Sequence, residues 1–424
     1  MLLTLNVRRR WEHVFVFRSY RYRIYPTRSQ QCALEIQLRF ACELWNAALE
    51  QRREAWRRCR EAVGYHTQAK ELTALRRHAP ELLPPEGMNC WTQQAVLRRL
   101  DHAFSAFFRR MERGEKPGYP RFKAPERFST IAWSFAGKAG GCAVTPQGRL
   151  RIQGIGEVKV KWHRRIPPDA TLRELRLTRK GSGRSVRYYA CFVLDVRAPV
   201  RPPRSGEAVG IDLGVRVLAA LSTGERFHGP RAGANNARQT RRAARRVARR
   251  RRGSARRRRA AQHLARQRER EANRRRDAAH KLSRKLVNRF ALIAHEDLRL
   301  LNMLRSPRGT AEEPGRGVRA KAALNREIAD QGWGMLFSML AYKAEDAGGR
   351  VVRVDPAGTS QSCARCGAKE RRSRSGARFS CVHCGHQEDA DVNAAAVILQ
   401  RALEVEQFGP GGAVKPKPLR LAVA

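Results

Sequence analysis

The sequence predicts a multidomain α+β protein in which a small β-barrel, interrupted by a helical insertion, precedes a separate α/β domain. Strand-like runs that alternate basic with apolar side chains flank a helical block at residues 28–125. After a proline-rich stretch, short strands and helices form a second set that continues almost to the end of the chain. Two Cys-x-x-Cys pairs between residues 363 and 384 predict a zinc ribbon inside that second set.

The composition favours a nucleic-acid partner. The chain has 424 residues, enough for several domains, and its hydrophobic fraction of 42% argues against global disorder. It carries 87 Lys and Arg against 38 Asp and Glu, a formal net charge of +49, and such a surface attracts polyanions by releasing their counterions. An anionic membrane is the competing partner, but no apolar run approaches the roughly 20 residues that span a bilayer. The opening ten residues also lack the length and order of a secretory signal.

The first strand and the helical block have a clear boundary. Residues 14–25 alternate basic with aromatic or apolar side chains, which predicts a strand with one charged face. Pro26 ends this strand, and Thr27 with Gln30 forms a capping box that starts a helix. The helical block then ends in a stretch with three prolines, residues 114–125.

The strands after the helical block complete the predicted barrel, which residues 14–25 begin. Prolines at 199, 202 and 203 then mark a linker. The strand-like runs cover residues 130–135, 149–162, 172–178 and 186–196.

The second set of elements has the order of an RNase H-like α/β domain. Three short strands fall within residues 209–228, and an arginine-rich helical segment at 238–285 follows them. A strand at 290–297, a helix, a strand at 349–355, the Cys pairs and a last helix at 391–404 complete the order. We therefore expect one domain with a mixed sheet, into which the Cys pairs are inserted.

Three carboxylates are expected to converge in this architecture. Asp212 lies on the first strand, Glu296 at the end of the fourth and Asp391 at the start of the last helix. Hydrolysis of a phosphodiester requires an activated water and a stabilised leaving oxygen, and two Mg²⁺ ions about 3.5–4 Å apart, held by carboxylates, supply both. Each acid alone could instead cap a turn or end a solvated strand, and Asp297 and Asp389 are close alternatives that spacing does not exclude.

The cysteine pairs predict a structural zinc site. Chance spacing and redox pairs are the competing interpretations, but Gly367 and Gly385 permit the tight turn that each pair needs. Four thiolates close the coordination sphere, so this zinc holds structure and leaves no position for catalysis. The other six cysteines are scattered singly, which fits reduced thiols and a cytoplasmic location. The four ligands are Cys363, Cys366, Cys381 and Cys384.

The arginine-rich segment at 238–285 favours contact with phosphates. A solvated charged helix or a disordered tail is the alternative, but solvation alone does not demand so strong a bias to one sign. Phosphate contacts need not be specific for sequence. The alternation of Tyr with Arg in residues 14–25 adds surfaces on which bases can stack.

At this point the sequence resembles the TnpB family, the RNA-guided nucleases of insertion-sequence transposons and relatives of type V CRISPR effectors. The resemblance covers nearly the whole chain. Its motifs are Tyr22-Arg-Ile-Tyr-Pro-Thr, Lys116-Pro-Gly-Tyr-Pro-Arg-Phe-Lys123, Gly210-Ile-Asp212-Leu-Gly-Val, His280-Lys-Leu-Ser, Glu296-Asp-Leu, Gly332-Trp-Gly, Tyr342-Lys-Ala-Glu, Thr359-Ser-Gln, the two Cys pairs and Asp391-Val-Asn-Ala-Ala.

The resemblance implies a domain plan: a wedge β-barrel with an inserted helical recognition domain, then a RuvC-like nuclease domain interrupted by a zinc-ribbon module that binds target nucleic acid. The expected segments are 1–27 and 126–204 for the barrel, 28–125 for the recognition domain, 205–357 and 389–406 for the nuclease domain, 358–388 for the zinc ribbon and 407–424 for a flexible tail.

The resemblance also implies the site. Mapped by motif, the RuvC acids are Asp212, Glu296 and Asp391, which would bind the catalytic Mg²⁺ and leave Asp297 and Asp389 outside the site. A guide RNA from the transposon end would lie on the basic surfaces and pair with the target, while the protein would read a short flanking motif. The residues expected to contact nucleic acid are Tyr22, Arg23, Tyr25, Lys116, Arg121, Lys123, Arg245, Arg249, Arg256 and Lys281.

The implied activity is metal-dependent, RNA-guided cleavage of double-stranded DNA in a single RuvC-like site. The chain would then be cytoplasmic, and associated with the nucleoid when bound to its target. A compact type V CRISPR effector, supplied by a spacer array, is the alternative within the class. A guide-loaded repressor that binds DNA without cutting it is the alternative from another class, and the presence of all three acids disfavours it.

Overall fold

The computed structural model describes residues 15–80, 88–135, 140–181, 186–197, 205–307, 309, 313 and 315–407. The chain divides into two compact units, Met1–Val200 and Arg201–Ala424. The first residues of the predicted barrel, the proline linker and the predicted tail from residue 408 onward lie outside the described residues.

The first unit contains a curved seven-stranded sheet in the order β2-β6-β7-β1-β5-β4-β3, with every neighbouring pair antiparallel. An isolated parallel bridge between Ser134, the last residue of β2, and Gly141, just before β3, brings the two edge strands of the sheet together. The strands are β1 Phe15–Tyr25, β2 Thr130–Ser134, β3 Cys142–Val144, β4 Arg149–Ile152, β5 Gly156–Lys161, β6 Thr171–Lys180 and β7 Arg187–Arg197.

One expected strand differs in the structure for a local reason, and the first strand shows which of its side chains are buried. The run at 149–162, expected as one strand, is the hairpin β4–β5, because Gly154 adopts a positive φ of 72° and turns the chain back. In β1, the period-two alternation places Tyr22 and Ile24 in the core, where they are 0% and 1% exposed. Arg21 and Tyr25 lie on the opposite, exposed face.

The helical insertion forms three helices, α1 Arg28–Cys59, α2 Tyr65–His78 and α3 Cys90–Glu112. The predicted capping box is confirmed, because the Thr27 side chain accepts from the Gln30 backbone N–H and the Gln30 side chain accepts from that of Thr27. The insertion and the sheet share one hydrophobic core. That core stabilises the insertion, since helices gain most of their stability from packing of an apolar face.

The second unit contains a five-stranded sheet in the order β10-β9-β8-β11-β12. The neighbours among β8, β9 and β10 are antiparallel, whereas β11 is parallel to both β8 and β12. The strands are β8 Ala208–Asp212, β9 Ala219–Leu221, β10 Arg226–Phe227, β11 Leu292–Glu296 and β12 Arg350–Val354.

Helices cover both faces of this sheet. Ile293 of β11 belongs to the core cluster with α5 and α8, and its neighbours Leu292 and Ala294 belong to a second cluster with α9. Gly210 lets α9 approach β8, because an added Cβ would lie 1.9 Å from the carbonyl oxygen of Ala395. The helices are α4 Ala232–Ala248, α5 Ala255–Arg289, α6 Leu300–Met303, α7 Val318–Gln331, α8 Trp333–Asp346 and α9 Ala390–Gln407.

The cysteine pairs lie in a small module between β12 and α9. Its antiparallel sheet contains β13 Arg374–Ser375, β14 Arg378–Ser380 and β15 Gln387–Asp389. Phe379 of β14 is fully buried beside Cys363 and Cys381. Within the described parts of the chain, no helix is both long and apolar enough to cross a lipid bilayer.

Candidate active site and metal centre

The four predicted cysteine ligands meet in one cluster. Their sulfur atoms all lie within 4.8 Å of one another, and the Cys363–Cys384 and Cys366–Cys381 Sγ–Sγ distances are 3.7 and 3.6 Å. Four sulfurs at the usual Zn–S distance of about 2.3 Å are separated by about 3.8 Å at tetrahedral angles, so the size of the cluster fits a zinc ion. The described residues contain no second group of three or more His, Cys, Asp or Glu ligand atoms as close together.

Local turns explain why this sequence forms the cluster. The Gly367 and Gly385 N–H groups donate to the carbonyl oxygens of Cys363 and Cys381, at 2.9 and 3.0 Å. Both glycines adopt positive φ angles, 75° and 70°, which disfavour other residues. Backbone N–H groups, that of Cys384 foremost, lower the pKa of the Cys381 thiol, and the thiolate is the form that binds metal.

The module is attached to α9 by side-chain hydrogen bonds. The buried Asn393 side chain accepts from the Ala364 N–H at 3.0 Å and donates to the Ser362 carbonyl oxygen at 2.8 Å. Gln400 donates to the Ala364 carbonyl oxygen at 2.6 Å. Because Asp391 lies two residues before Asn393, one helix positions both the cysteine module and an acid of the candidate site.

The three predicted acids lie at one edge of the five-stranded sheet. Asp212 and Glu296 are the last residues of β8 and β11, which are parallel neighbours, and Asp391 is in the first turn of α9. Burial, followed by the charges of Glu296 and Asp391, raises the pKa of Asp212 to about 7. Asp212 is therefore close enough to both Glu296 and Asp391 to be repelled by them.

Glu296 and Asp391 each have a partner that the sequence did not indicate. Burial raises the pKa of Glu296, while the Thr359 hydroxyl donates to its Oε1 and opposes that rise. Arg374, on β13 of the cysteine module, donates to Asp391 Oδ1 at 3.0 Å. Thr359 belongs to a quoted motif, but Arg374 is one of many arginines and its position in the sequence gives no signal.

The carboxylate oxygens are the ligand type that Mg²⁺ prefers, so the donor set fits the ion. Among the described residues, the acids do not form a group as tight as the four cysteines. Wider spacing suits a site with two metal ions about 3.5–4 Å apart, since the ligands surround the pair. Two cations would also relieve the repulsion that raises the pKa of Asp212.

The two alternative acids have structural roles. Asp297 is exposed and lies 3.4 Å from Arg353. Asp389 caps α9, because its Oδ1 accepts from the N–H groups of Asp391 and Val392 at 3.1 and 3.2 Å. Asp389 also pairs with Arg226 at 2.7 Å. These contacts give both residues a structural role outside the candidate site.

The expected nucleic-acid contacts on β1 divide between the two faces of the strand. Tyr22 is completely buried against Trp162 and Phe192, so its ring offers no face to a base and the expectation for it is wrong. Tyr25 is 47% exposed, and the guanidinium of Arg23 lies 5.5 Å from its ring centroid. Arg23 and Tyr25 therefore keep the arrangement of a cation beside a stacking surface.

The expected contacts after α3 lie on a loop held against α1. Trp45 Nε1 donates to the Arg121 carbonyl oxygen at 3.1 Å, and the Lys123 Nζ lies 3.5 Å from the Trp45 ring centroid. Burial and then Arg99 lower the pKa of Lys123 to about 8, which marks a packed lysine more than a free surface cation. Lys116 and Arg121 are exposed.

The remaining expected contacts lie on the two long helices of the second unit. Arg245 and Arg249 are exposed at the end of α4, and Arg256 is exposed in the first turn of α5. Lys281 is also exposed but pairs with Asp277 at 2.8 Å, which places part of its charge in an ion pair within the helix.

Family models match three parts of the chain: a helix-turn-helix domain at residues 16–61, a probable transposase at 191–306 and a Cas12f1-like TNB domain at 333–398. The first of these regions forms β1 and one long helix in this structure. The third includes α8, the cysteine module and the first half of α9.

Two proteins are similar over almost their whole length. A protein of Streptomyces pristinaespiralis, named as an RNA-guided DNA endonuclease, is 31% identical over 402 residues, which cover 93% of this chain and 92% of that protein. The RNA-guided DNA endonuclease InsQ of Escherichia coli K12 is 29% identical over 425 residues, or 96% and 98% of the two chains.

A solved structure shares the fold. In the cryo-EM structure of a Cas12f1–sgRNA–target DNA complex, the protein aligns with a TM-score of 0.55 at 12% identity, over 91% of this chain and 98% of the other. At that identity the likeness concerns the fold alone. The family follows from the full-length similarity at 31% identity together with the matching family models: this chain belongs to the TnpB family.

Proposed function

We propose that this protein is an RNA-guided DNA endonuclease that hydrolyses phosphodiester bonds in one metal-dependent, RuvC-like site formed by Asp212, Glu296 and Asp391. The observation that carries the proposal is the placement of the acids: Asp212 and Glu296 end the neighbouring parallel strands β8 and β11, and Asp391 lies in the first turn of α9, close enough to Asp212 to help burial raise its pKa. Full-length relatives named as RNA-guided DNA endonucleases support the same activity.

The sheet supports the finer fold assignment. Three antiparallel strands followed by two parallel ones, in the order β10-β9-β8-β11-β12, are the arrangement expected of an RNase H-like nuclease domain. Acids at the carboxyl ends of its central strands and on its last helix would then face one site. We extend this to the first unit, with residues 1–27 and 126–204 as the wedge barrel and residues 28–125 as the recognition domain.

The acids would hold two Mg²⁺ ions, which supply an activated water and stabilise the leaving oxygen. The chain positions these ligands. Thr359 fixes one oxygen of Glu296 by donating to it, and Asp389 fixes the start of α9 and with it Asp391. Arg374 lies on Asp391 and adds a positive charge to a site that would bind a phosphodiester.

A guide RNA would select the target by base pairing, while the protein holds the backbones through its basic residues. The exposed cations Lys116 and Arg121 and the half-buried Arg23 in the first unit, and the exposed cations of α4 and α5 in the second, are the proposed contacts. The zinc would be structural, with all four positions filled by cysteine.

A transposon end is the proposed source of the guide RNA, and a CRISPR array is the alternative. Sequencing the RNA that copurifies with the protein distinguishes the two sources. We propose a cytoplasmic location with association to the nucleoid when target DNA is bound. A repressor without cleavage remains the second function, and the three acids argue against it because binding alone would not require them.

The test is Asp212→Ala in the guide-loaded complex with matched duplex DNA and Mg²⁺. The variant should lose several kcal/mol of transition-state stabilisation by the metal ions, so its cleavage rate should fall by about a thousandfold or more. Guide-dependent DNA binding should be retained. Asp297→Ala is the matched control and should cut within about twofold of the wild-type rate, since surface changes of this kind cost little. Cleavage by Asp212→Ala at the wild-type rate would refute the site, and intact substrate with the wild-type complex would support the repressor.

A further inference from the structure

The arginine-rich hairpin formed by α4 and α5 encloses a cavity at its tip. The cavity has a volume of about 320 Å³, and its polar lining consists of Arg246, Arg250, Arg256, Arg259 and His263. Only Arg256 was expected as a nucleic-acid contact from the sequence. The chain contains no Asp or Glu from residue 226 to residue 268, so no carboxylate of the hairpin tip offsets these cations.

The tip is built in a way that leaves the cavity open. Ala243 and Ala260 also line the cavity, and their small side chains leave the space between the two helices unfilled. Arg257 donates to the Arg250 carbonyl oxygen at 2.8 Å, and Ser254 caps α5. Farther along the hairpin, Thr240 donates to Glu271 at 2.7 Å. None of these bonds uses a side chain of the four cavity arginines, so those side chains are not needed to hold the hairpin and its turn in place.

The lining selects a class of ligand. Four guanidinium groups around one space repel each other, and an anion with several oxygens removes that repulsion while accepting paired N–H bonds. No Phe, Tyr or Trp lines the cavity, and His263 is its one ring, so the lining is mainly guanidinium groups that suit phosphates more than stacked bases. Its volume is about ten times the roughly 30 Å³ that a water molecule occupies, which is more than one inorganic ion needs.

We propose that this cavity binds consecutive phosphates of a nucleic-acid backbone, independently of sequence. This inference rests on the proposed function, because the phosphates would be those of a guide RNA or of its target DNA. It goes further by naming the face of the hairpin that binds them. The contacts lie on the cavity side of α4, at Arg246 and Arg250, and not only on the side of Arg245 and Arg249.

The experiment compares two triple variants of the full chain with equal change of charge. Arg246→Gln/Arg250→Gln/Arg259→Gln removes cavity arginines, and Arg241→Gln/Arg252→Gln/Arg266→Gln removes exposed arginines outside the lining. Binding of a short oligouridine RNA and of a short random-sequence DNA duplex is measured across a salt series. Each lost phosphate contact lowers the slope of log K against log salt by roughly 0.7–0.9, so the cavity variant should lose about two units and the control less than about one.

The two probes identify the source of the phosphates. If the cavity variant loses more of the salt slope with oligouridine than with the DNA duplex, the cavity is assigned to the guide RNA. The opposite result assigns it to target DNA. Equal slopes and affinities for the cavity variant and its control with both probes would overturn the proposal.

A second pair of variants covers a failure to fold, which circular dichroism would reveal. Lysine at the same three cavity positions keeps the charge but loses the paired donors of arginine, so affinity should fall about tenfold below that of lysine at the three control positions. Equal affinity of the two lysine variants would also overturn the proposal. Cleavage by the wild-type guide-loaded complex is assayed separately, so failure of the nuclease function is distinguishable from failure of the cavity.

Discussion

The cysteine module and the acid site lie next to each other in the second unit but differ in what they do to stability. The module gathers four thiols by short turns within 22 residues, from Cys363 to Cys384, and an ion there would add to folding. The acid site gathers Asp212, Glu296 and Asp391 from across the domain and places like charges together. One site therefore supports the fold, and the other depends on the fold to hold groups that repel.

Removing the zinc should have the largest effect. A structural zinc contributes about 10–16 kcal/mol of binding free energy in small domains, so Cys381→Ser should unfold the module. Because Asn393 and Gln400 of α9 bond to the module, the change should also displace Asp391 and abolish cleavage. Limited proteolysis between residues 363 and 384 and zinc content per chain are the measurements.

Cys59→Ser is the control for the zinc prediction, since Cys59 is a free, exposed thiol at the end of α1. It should keep one zinc per chain and the wild-type cleavage rate. A protease-resistant module in Cys381→Ser that contains no zinc would show that the four cysteines do not depend on metal.

Removal of a ligand residue from the acid site should raise the stability of the protein, whereas removal of a zinc ligand should lower it. Asp212→Asn abolishes one charge of the repelling set, so in EDTA at pH 8 it should raise the melting temperature of the second unit by about 2–4 °C, the shift expected for roughly 1 kcal/mol. Mg²⁺ should stabilise the wild type and have little effect on the variant, because a ligand stabilises only the protein that binds it.

The sign of the pH dependence follows from the raised pKa of Asp212. A carboxyl whose pKa is about 7 in the folded state binds more protons folded than unfolded, so its stabilising contribution is lost as the pH rises through 7. The advantage of Asp212→Asn should therefore be absent below about pH 4, grow between pH 4 and pH 7, and be full at pH 8. A variant that melts below the wild type in EDTA at pH 8 would show that Asp212 is not under repulsion.

The same comparison explains how much the sequence could predict. The four cysteines lie close together in the chain, so their spacing alone was sufficient to predict the cluster. The three acids were placed by element order, since the carboxyl ends of parallel strands meet at one edge, and the structure brings them together there. Spacing alone left Asp297 and Asp389 open, and the family motifs placed them outside the site; the structure adds the reason for each, in their partners Arg353 and Arg226.

Other features gave no signal or were misread. Arg374 lies on Asp391 through a hairpin whose position depends on the folded module, and no spacing rule points to it. Tyr22 was expected to face nucleic acid, although the period of two already places it on the side of Ile24, in the core. The division between the two halves of the long run at 149–162 required the positive φ of Gly154.

The smallest predicted effect concerns Asp389, which lies between the two sites and serves the fold alone. Its side chain accepts from the N–H groups of Asp391 and Val392, so Asp389→Ala should cost about 1 kcal/mol, the usual value of a helix N-cap. Asp389→Asn keeps an acceptor oxygen at the cap and should restore most of this stability. Cleavage by the alanine variant should fall only a few-fold, because Asp391 would keep its place on α9 with a looser first turn. Thermal melting and single-turnover cleavage of both variants provide the test. If Asp389→Asn loses as much cleavage as Asp212→Ala while melting like the wild type, Asp389 acts by its charge, and the acid site has four members.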